Sequence, residues 1–171
     1  MQTQLLIGGE WSDGSGSERF DVENPANEEI IASVAAGTTQ DATRACAAAA
    51  DAQGAWAATA PRERGEILRR TWQLMIDHTD ELARLITLEH GKPLADARGE
   101  VAYAAEFFRW NSEEAVRIHG AMGRAPAGAN RIVVHHPPVG VVVIVTPWNF
   151  AAAMITRKLA PALAAGNAAV I

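Results

Sequence analysis

Asn149 is the polar residue whose setting offers the clearest chemistry. It follows a β-branched run over residues 139–145 and precedes an apolar stretch over residues 150–165. A run of this kind without alternation reads as a buried parallel strand, and the stretch after it as a helix. The carboxamide then stands at the carboxyl end of a strand beside a helix N-terminus, where open α/β sheets bind ligands. Asparagine is also a common helix N-cap. Position alone therefore leaves two readings open, a ligand-facing donor and a cap.

Other chemistries are excluded by spacing. No G-x-G-x-x-G follows a strand, so the common dinucleotide fingerprint is missing. Gly91-Lys92 does not make a phosphate loop, because Ile86 stands where its first glycine belongs and Pro93 replaces the hydroxyl residue. Cys46 is the single cysteine, so neither an internal disulfide nor a cysteine-based zinc site can form. It lies in an Ala-rich segment with only Arg44 as a cationic neighbour, a poor setting for an activated thiolate. His135 and His136 are neighbours in a strand and point to opposite faces, so no metal site is expected.

The elements that must position Asn149 can be traced back through the chain. Of its 171 residues, 49% are hydrophobic and 20% charged, the balance of a folding globular sequence. A net charge of −5, from 15 Lys+Arg against 20 Asp+Glu, offers no footprint for a nucleic acid. Arg62, Arg64, Arg69 and Arg70 alternate with Glu63 and Glu66 as a solvated helix face. The first residues lack a secretory or transit pattern, and Pro137, Pro138, Pro147 and Asn149 interrupt the one long uncharged run, so a cytoplasmic, non-membrane protein is expected.

Turn signals in the first 35 residues predict a hairpin or small sheet. Thr38 and Asp41 form a capping-box pattern ahead of a helix through Ala58. A second helix is expected between Pro61 and His78, with Leu68, Trp72 and Met75 on one face. A third is expected to be capped by Thr79 and to stop at Gly91, and a fourth spans 94–119 with Ala97, Val101, Ala104, Phe108 and Ala115 inward. After a Gly/Pro/Ala loop, residues 131–136 read as a short strand, 139–145 as a buried strand, 150–165 as a helix and 168–171 as another strand. The result is an α/β chain ending in a β-α-β unit, and its final apolar strand at Ile171 suggests the N-terminal part of a larger protein.

Particular motifs in this order resemble the NAD(P)-dependent aldehyde dehydrogenases. They are Ile7-Gly8-Gly9-Glu10-Trp11, Asn24-Pro25-Ala26, Glu89-His90-Gly91-Lys92-Pro93, Pro138-Val139-Gly140-Val141, Thr146-Pro147-Trp148-Asn149-Phe150, and the run from Lys158 to Asn167. The resemblance covers the whole chain. It implies thiolate attack on an aldehyde, hydride transfer to a nicotinamide, and hydrolysis of the thioester by a base-activated water. The family's cysteine nucleophile, general-base glutamate and nicotinamide clamp come after residue 171.

By the same resemblance, Asn149 is the oxyanion donor, Thr146, Pro147, Trp148 and Asn149 line the cofactor pocket, and Lys158 matches a lysine near the catalytic centre. A snorkelling surface lysine is the other reading of Lys158. Ala151 stands where the family usually places a proline at the first helical position, which loosens the turn that aims Asn149. The segment Ala153-Met154-Ile155-Thr156-Arg157-Lys158 resembles succinate-semialdehyde dehydrogenases, in which this arginine holds the substrate's distal carboxylate. Arg157 could instead be an ordinary solvated arginine.

The resemblance implies NADP or NAD as cofactor, succinate semialdehyde or a similar ω-carboxylated aldehyde as substrate, and a homo-oligomeric parent. It divides the chain into strands and helices over 1–123, a loop and oligomerisation-hairpin strand over 124–138, and an incomplete dinucleotide-binding β-α-β over 139–171. The 171 residues alone are expected to be inactive. The rival expectations are a short non-catalytic module that binds a homologue and a minimal nucleotide-binding module.

Overall fold

The computed structural model describes residues 1–171. It opens with two antiparallel hairpins, β1 (Leu5–Ile7) with β2 (Glu10–Ser12), and β3 (Arg19–Asn24) with β4 (Glu29–Ala35). Gly8 and Gly9, at φ 61° and 85°, make the first turn in a region that side chains disfavour. The hairpins are separate two-stranded sheets. Between them the Gly/Ser loop docks on the next helix, where the Ser15 N–H donates to Asp41 Oδ1 at 2.9 Å.

α1 (Thr39–Ala58) begins with the expected capping box: the Asp41 N–H donates to Thr38 Oγ1 at 3.2 Å, and the Thr38 N–H to Asp41 Oδ2 at 2.9 Å. α2 (Pro61–Asp77), α3 (Thr79–His90) and α4 (Leu94–Glu114) follow. Thr79 is not the cap of α3. Its hydroxyl donates backward to the carbonyls of Met75 and Ile76, at 3.3 and 2.7 Å, so it closes α2, and His78 holds the N-cap position without a side-chain bond. α3 ends at Gly91 in the left-handed conformation, φ 73°.

α4 ends at Glu114, short of His119, and residues 121–124 form a strand not foreseen from the sequence. This is β5 (Ala121–Arg124), paired antiparallel with β6 (Arg131–Val134) as an exposed hairpin. The β-α-β unit is then β7 (Val141–Val143), α5 (Ala153–Ala164) and β8 (Ala168–Val170), with the strands parallel and Val141 opposite Ala168. Residues 139–145 are not uniformly buried: Ile144 is 7% exposed, but Val143 is 64% and Val145 83% exposed. A parallel strand buries both faces only between neighbours and under helices, and β7 has β8 as its single partner.

The core lies between helices. Leu68 of α2, Phe108 of α4 and Ala160 and Ala164 of α5 pack with Ala115 and are flanked by Trp72, Met75 and Leu163. A second cluster joins α3 to α4 through Ala83, Ile86, Ala97 and Val101, with Ala152 at the entrance to α5 packed against it. α5 therefore rests on α4 along its length and at its start.

Candidate active site at the carboxyl end of the first parallel strand

β7 runs one residue beyond its ladder: the Ile144 N–H donates to the Val170 carbonyl at 2.8 Å, after which the chain leaves the sheet. Thr146 is half-buried, and Pro147, Trp148, Asn149 and Phe150 are exposed. The structure thus brings the four residues expected to line a cofactor pocket together in one turn at a strand's carboxyl end. It also removes one reading of Asn149. The N-cap position of α5 belongs to Ala152, which makes no side-chain bond, so Asn149 does not cap the helix. Ala151 likewise lies in the turn before the helix proper and is not its first residue.

The start of α5 is held from another helix. Glu100 Oε1, on α4, accepts the Ala152 N–H at 2.9 Å and the Ala153 N–H at 3.4 Å. Glu100 Oε2 accepts from the Lys92 ammonium, which also lies 4.3 Å from the centroid of the Phe150 ring. Burial opposes the charge on Glu100, but the bonds from Lys92 and the two amides outweigh it and hold the carboxyl below its ordinary range. The indole of Trp148 leans on His90 with ring centroids 5.7 Å apart. The end of α3, the loop after it and α4 therefore all touch the Asn149 turn or its immediate neighbours.

The far end of α5 is held as firmly. Gln53 Nε2 donates to the Gly166 carbonyl at 2.9 Å and its Oε1 accepts the Ala168 N–H at 2.5 Å, while the Trp56 indole N–H donates to the Leu163 carbonyl at 3.1 Å. The Asn167 side chain accepts the Val139 and Gly140 N–H groups and donates to the Ala162 carbonyl. Arg64 corrects the solvated-face reading. It is 6% exposed, and its guanidinium donates to the carbonyls of Ala164, Ala57 and Thr59.

Most of these supports were missed in the sequence because the bonds of Gln53, Trp56 and Glu100, and that of Arg64 to Ala164, join a side chain to backbone far away in the chain. Glu100 alone carried a signal. It sits on the inward stripe of α4 with Ala97, Val101 and Ala104, where a carboxylate needs a partner.

Arg157 is exposed on α5, with its guanidinium carbon 5.9 Å from the Phe107 ring centroid. Lys158 is half-buried, and its ammonium donates to the Met154 carbonyl of its own helix at 3.2 Å. Neither cation has a carboxylate partner, and Arg157 remains open to solvent. Cys46 is exposed on α1. No helix is long and apolar enough to cross a membrane, and no three His, Cys, Asp or Glu side chains gather as metal ligands.

Val145 and Trp148, 83% and 79% exposed, place apolar surface in the same turn as the exposed Asn149.

Comparison with known proteins identifies the family. Residues 11–171 match the Aldehyde dehydrogenase family. The NADP(+) succinate-semialdehyde dehydrogenase GabD of Escherichia coli (strain K12) is 48% identical over 166 residues, covering 97% of this chain and 34% of that protein. The glutarate-semialdehyde dehydrogenase of Pseudomonas putida is also 48% identical over 166 residues, covering 97% of this chain and 35% of its own length. A crystal structure of an E. coli NADP dependent enzyme superposes with a TM-score of 0.95 at 48% identity, over 98% of this chain and 35% of that one. The chain thus spans about a third of the length of the relatives it matches.

Proposed function

Because the chain belongs to the aldehyde dehydrogenase family, shown by the match over residues 11–171, we propose that it supplies the oxyanion donor, part of the cofactor pocket and the substrate-anion contact of an NAD(P)-dependent aldehyde dehydrogenase. The observation that carries this reading is Asn149. It is exposed in a turn at the carboxyl end of a parallel strand, and it is free of the capping duty that would otherwise explain it.

In the reaction, the Asn149 carboxamide donates to the aldehyde oxygen as negative charge grows there, an interaction stronger in the transition state than in the ground state. Thr146, Pro147 and Trp148 hold the cofactor beside it. A nicotinamide held there would supply the hydride acceptor for aldehyde oxidation. NADP is the favoured cofactor, on the likeness to the NADP(+) enzyme of E. coli, with NAD as the alternative.

The substrate is an aldehyde with a carboxylate at its far end, succinate semialdehyde first and the longer glutarate semialdehyde second, in line with the names of the two relatives. Arg157 is the carboxylate contact. Its guanidinium has no acidic partner and lies over an aromatic ring that limits its freedom, an arrangement suited to binding an incoming carboxylate. Lys158 is assigned a role near the centre only by family likeness. The working form is a homo-oligomer joined through the β5–β6 hairpin, where Met122 and Val133 are 73% and 71% exposed.

The test is the ratio of kcat/KM for succinate semialdehyde to that for butanal, in the native protein bearing this sequence and in Arg157→Ala. The substitution is expected to lower the ratio by about 10- to 150-fold, or roughly 1.5–3 kcal/mol. Equal losses for both aldehydes would make Arg157 structural and remove the carboxylated substrate.

A further inference from the structure

We propose that Glu100 is a positioning residue that aims Asn149, acting from a neighbouring helix as the anchor that α5 does not provide for itself. The inference rests on the reading of Asn149 as oxyanion donor. A helix start leaves several backbone N–H groups unpaired and favours an anion nearby, and the usual supplier is a local Ser, Thr, Asp or Asn. α5 has none: its N-cap is Ala152 and its first turn carries no acidic residue. The turn before it also has Ala151, without the fixed φ of a proline.

What holds this turn comes from outside. One oxygen of Glu100 takes the Ala152 and Ala153 amides, three and four residues after Asn149. The other oxygen takes the Lys92 ammonium, and the same ammonium lies against the ring of Phe150, the residue next to Asn149. The Glu100 side chain is 1% exposed and that of Lys92 14%, so the pair is shielded from competing water. A buried carboxylate is costly unless fully partnered, and every partner of Glu100 lies within this anchor. The Lys92–Glu100 pair ties α4, the loop after α3 and the start of α5 into one frame, with Asn149 at its edge. Displacing a reacting group by about 1 Å can cost on the order of 100-fold in rate, which sets the scale of the effect.

The experiment is a double-mutant cycle in the native protein with Asn149→Ala and Glu100→Ala, repeated with Glu100→Gln as a variant that keeps the side chain's size. Glu100→Ala is expected to lower kcat by about 100-fold while the aldehyde KM moves by less than about three-fold. In the Asn149→Ala background the same change is expected to cost less than about three-fold, because its effect runs through the missing amide. Hydrogen exchange at the Ala152 and Ala153 amides is expected to accelerate in Glu100→Ala.

If Glu100→Ala and Glu100→Gln cost the same factor with and without Asn149, Glu100 is a general structural residue and the proposal is overturned, though the oxyanion reading stands. Unchanged exchange at both amides overturns the anchor itself, whatever the activity. If Asn149→Ala leaves kcat intact, the oxyanion reading fails first and the positioning role falls with it.

Discussion

At the scale of single residues, the groups proposed to meet ligands are exposed, while the charges that bind backbone are buried. Asn149 and Arg157 are exposed, whereas Glu100 and Arg64, at 3% and 6% exposed, bind backbone groups at opposite ends of α5. The two buried charges were harder to read from sequence, since Arg64 lies in a run of alternating charges that resembles a solvated face. Asn149 was legible by its place after a β-branched run, but its freedom from capping depended on where α5 starts.

A pH dependence follows from Glu100. Burial opposes its ionisation, but the hydrogen bonds from Lys92 and the two amides prevail and depress its folded value below the ordinary 4.5. The unfolded chain therefore takes up the proton first as pH falls. The stabilisation is fully present above the ordinary value and is lost as pH drops through the lower folded one. Melting temperatures of the native protein measured from pH 7 down to about 3 should fall more steeply than those of Glu100→Gln, which lacks the titrating group. Parallel curves would remove Glu100 as a contributor.

At the scale of elements, periodicity and punctuation located the helices. Leu68, Trp72 and Met75 face the core from α2 as their spacing requires, and Gly91 stops α3. The misplaced boundaries have local causes. Thr79 could cap forward or bond backward, and the α2 carbonyls took its hydroxyl. β5 was hidden because Gly120 and Gly123 looked only like helix breakers, while its pairing with β6 is a contact between segments that sequence periodicity does not reveal.

Helix packing yields a prediction with opposed signs. A Cβ on Gly65 of α2 would lie 2.6 Å from the Ser112 carbonyl oxygen of α4, whereas one on Gly54 of α1 would meet nothing within 4 Å. Alanine is the better helix former at both places, by about 1 kcal/mol. At Gly65 the clash prevails, because α4 must shift, and Gly65→Ala should destabilise by about 1–3 kcal/mol. Gly54→Ala should stabilise by about 0.5–1 kcal/mol. Denaturant midpoints of the two variants check this; a shift of the same sign in both would contradict the close approach of α2 to α4.

At the scale of the whole molecule, the chain places much apolar surface outward. Val143 at the end of β7 and Val145 just beyond it are exposed, and Met122, Ile132 and Val133 lie exposed along the β5–β6 hairpin. The proposed homo-oligomer uses the hairpin. Val133→Asp should therefore lower the solution mass of the native protein by light scattering, and an unchanged mass would move the contact elsewhere. The family signature was legible from end to end because its motifs are contiguous, whereas the supports of the site bring Gln53, Arg64 and Glu100 to residues far along the chain.

The Asn149 amide is proposed to stabilise charge on an aldehyde oxygen. The most direct test of this role is the rate of cofactor reduction by succinate semialdehyde in the native protein and in Asn149→Ala, with cofactor binding measured alongside. The native protein is expected to oxidise the aldehyde, and the variant to show a fall in kcat on the order of 100- to 1,000-fold with cofactor affinity largely kept. A variant whose kcat stays within about three-fold of the native value would contradict this role.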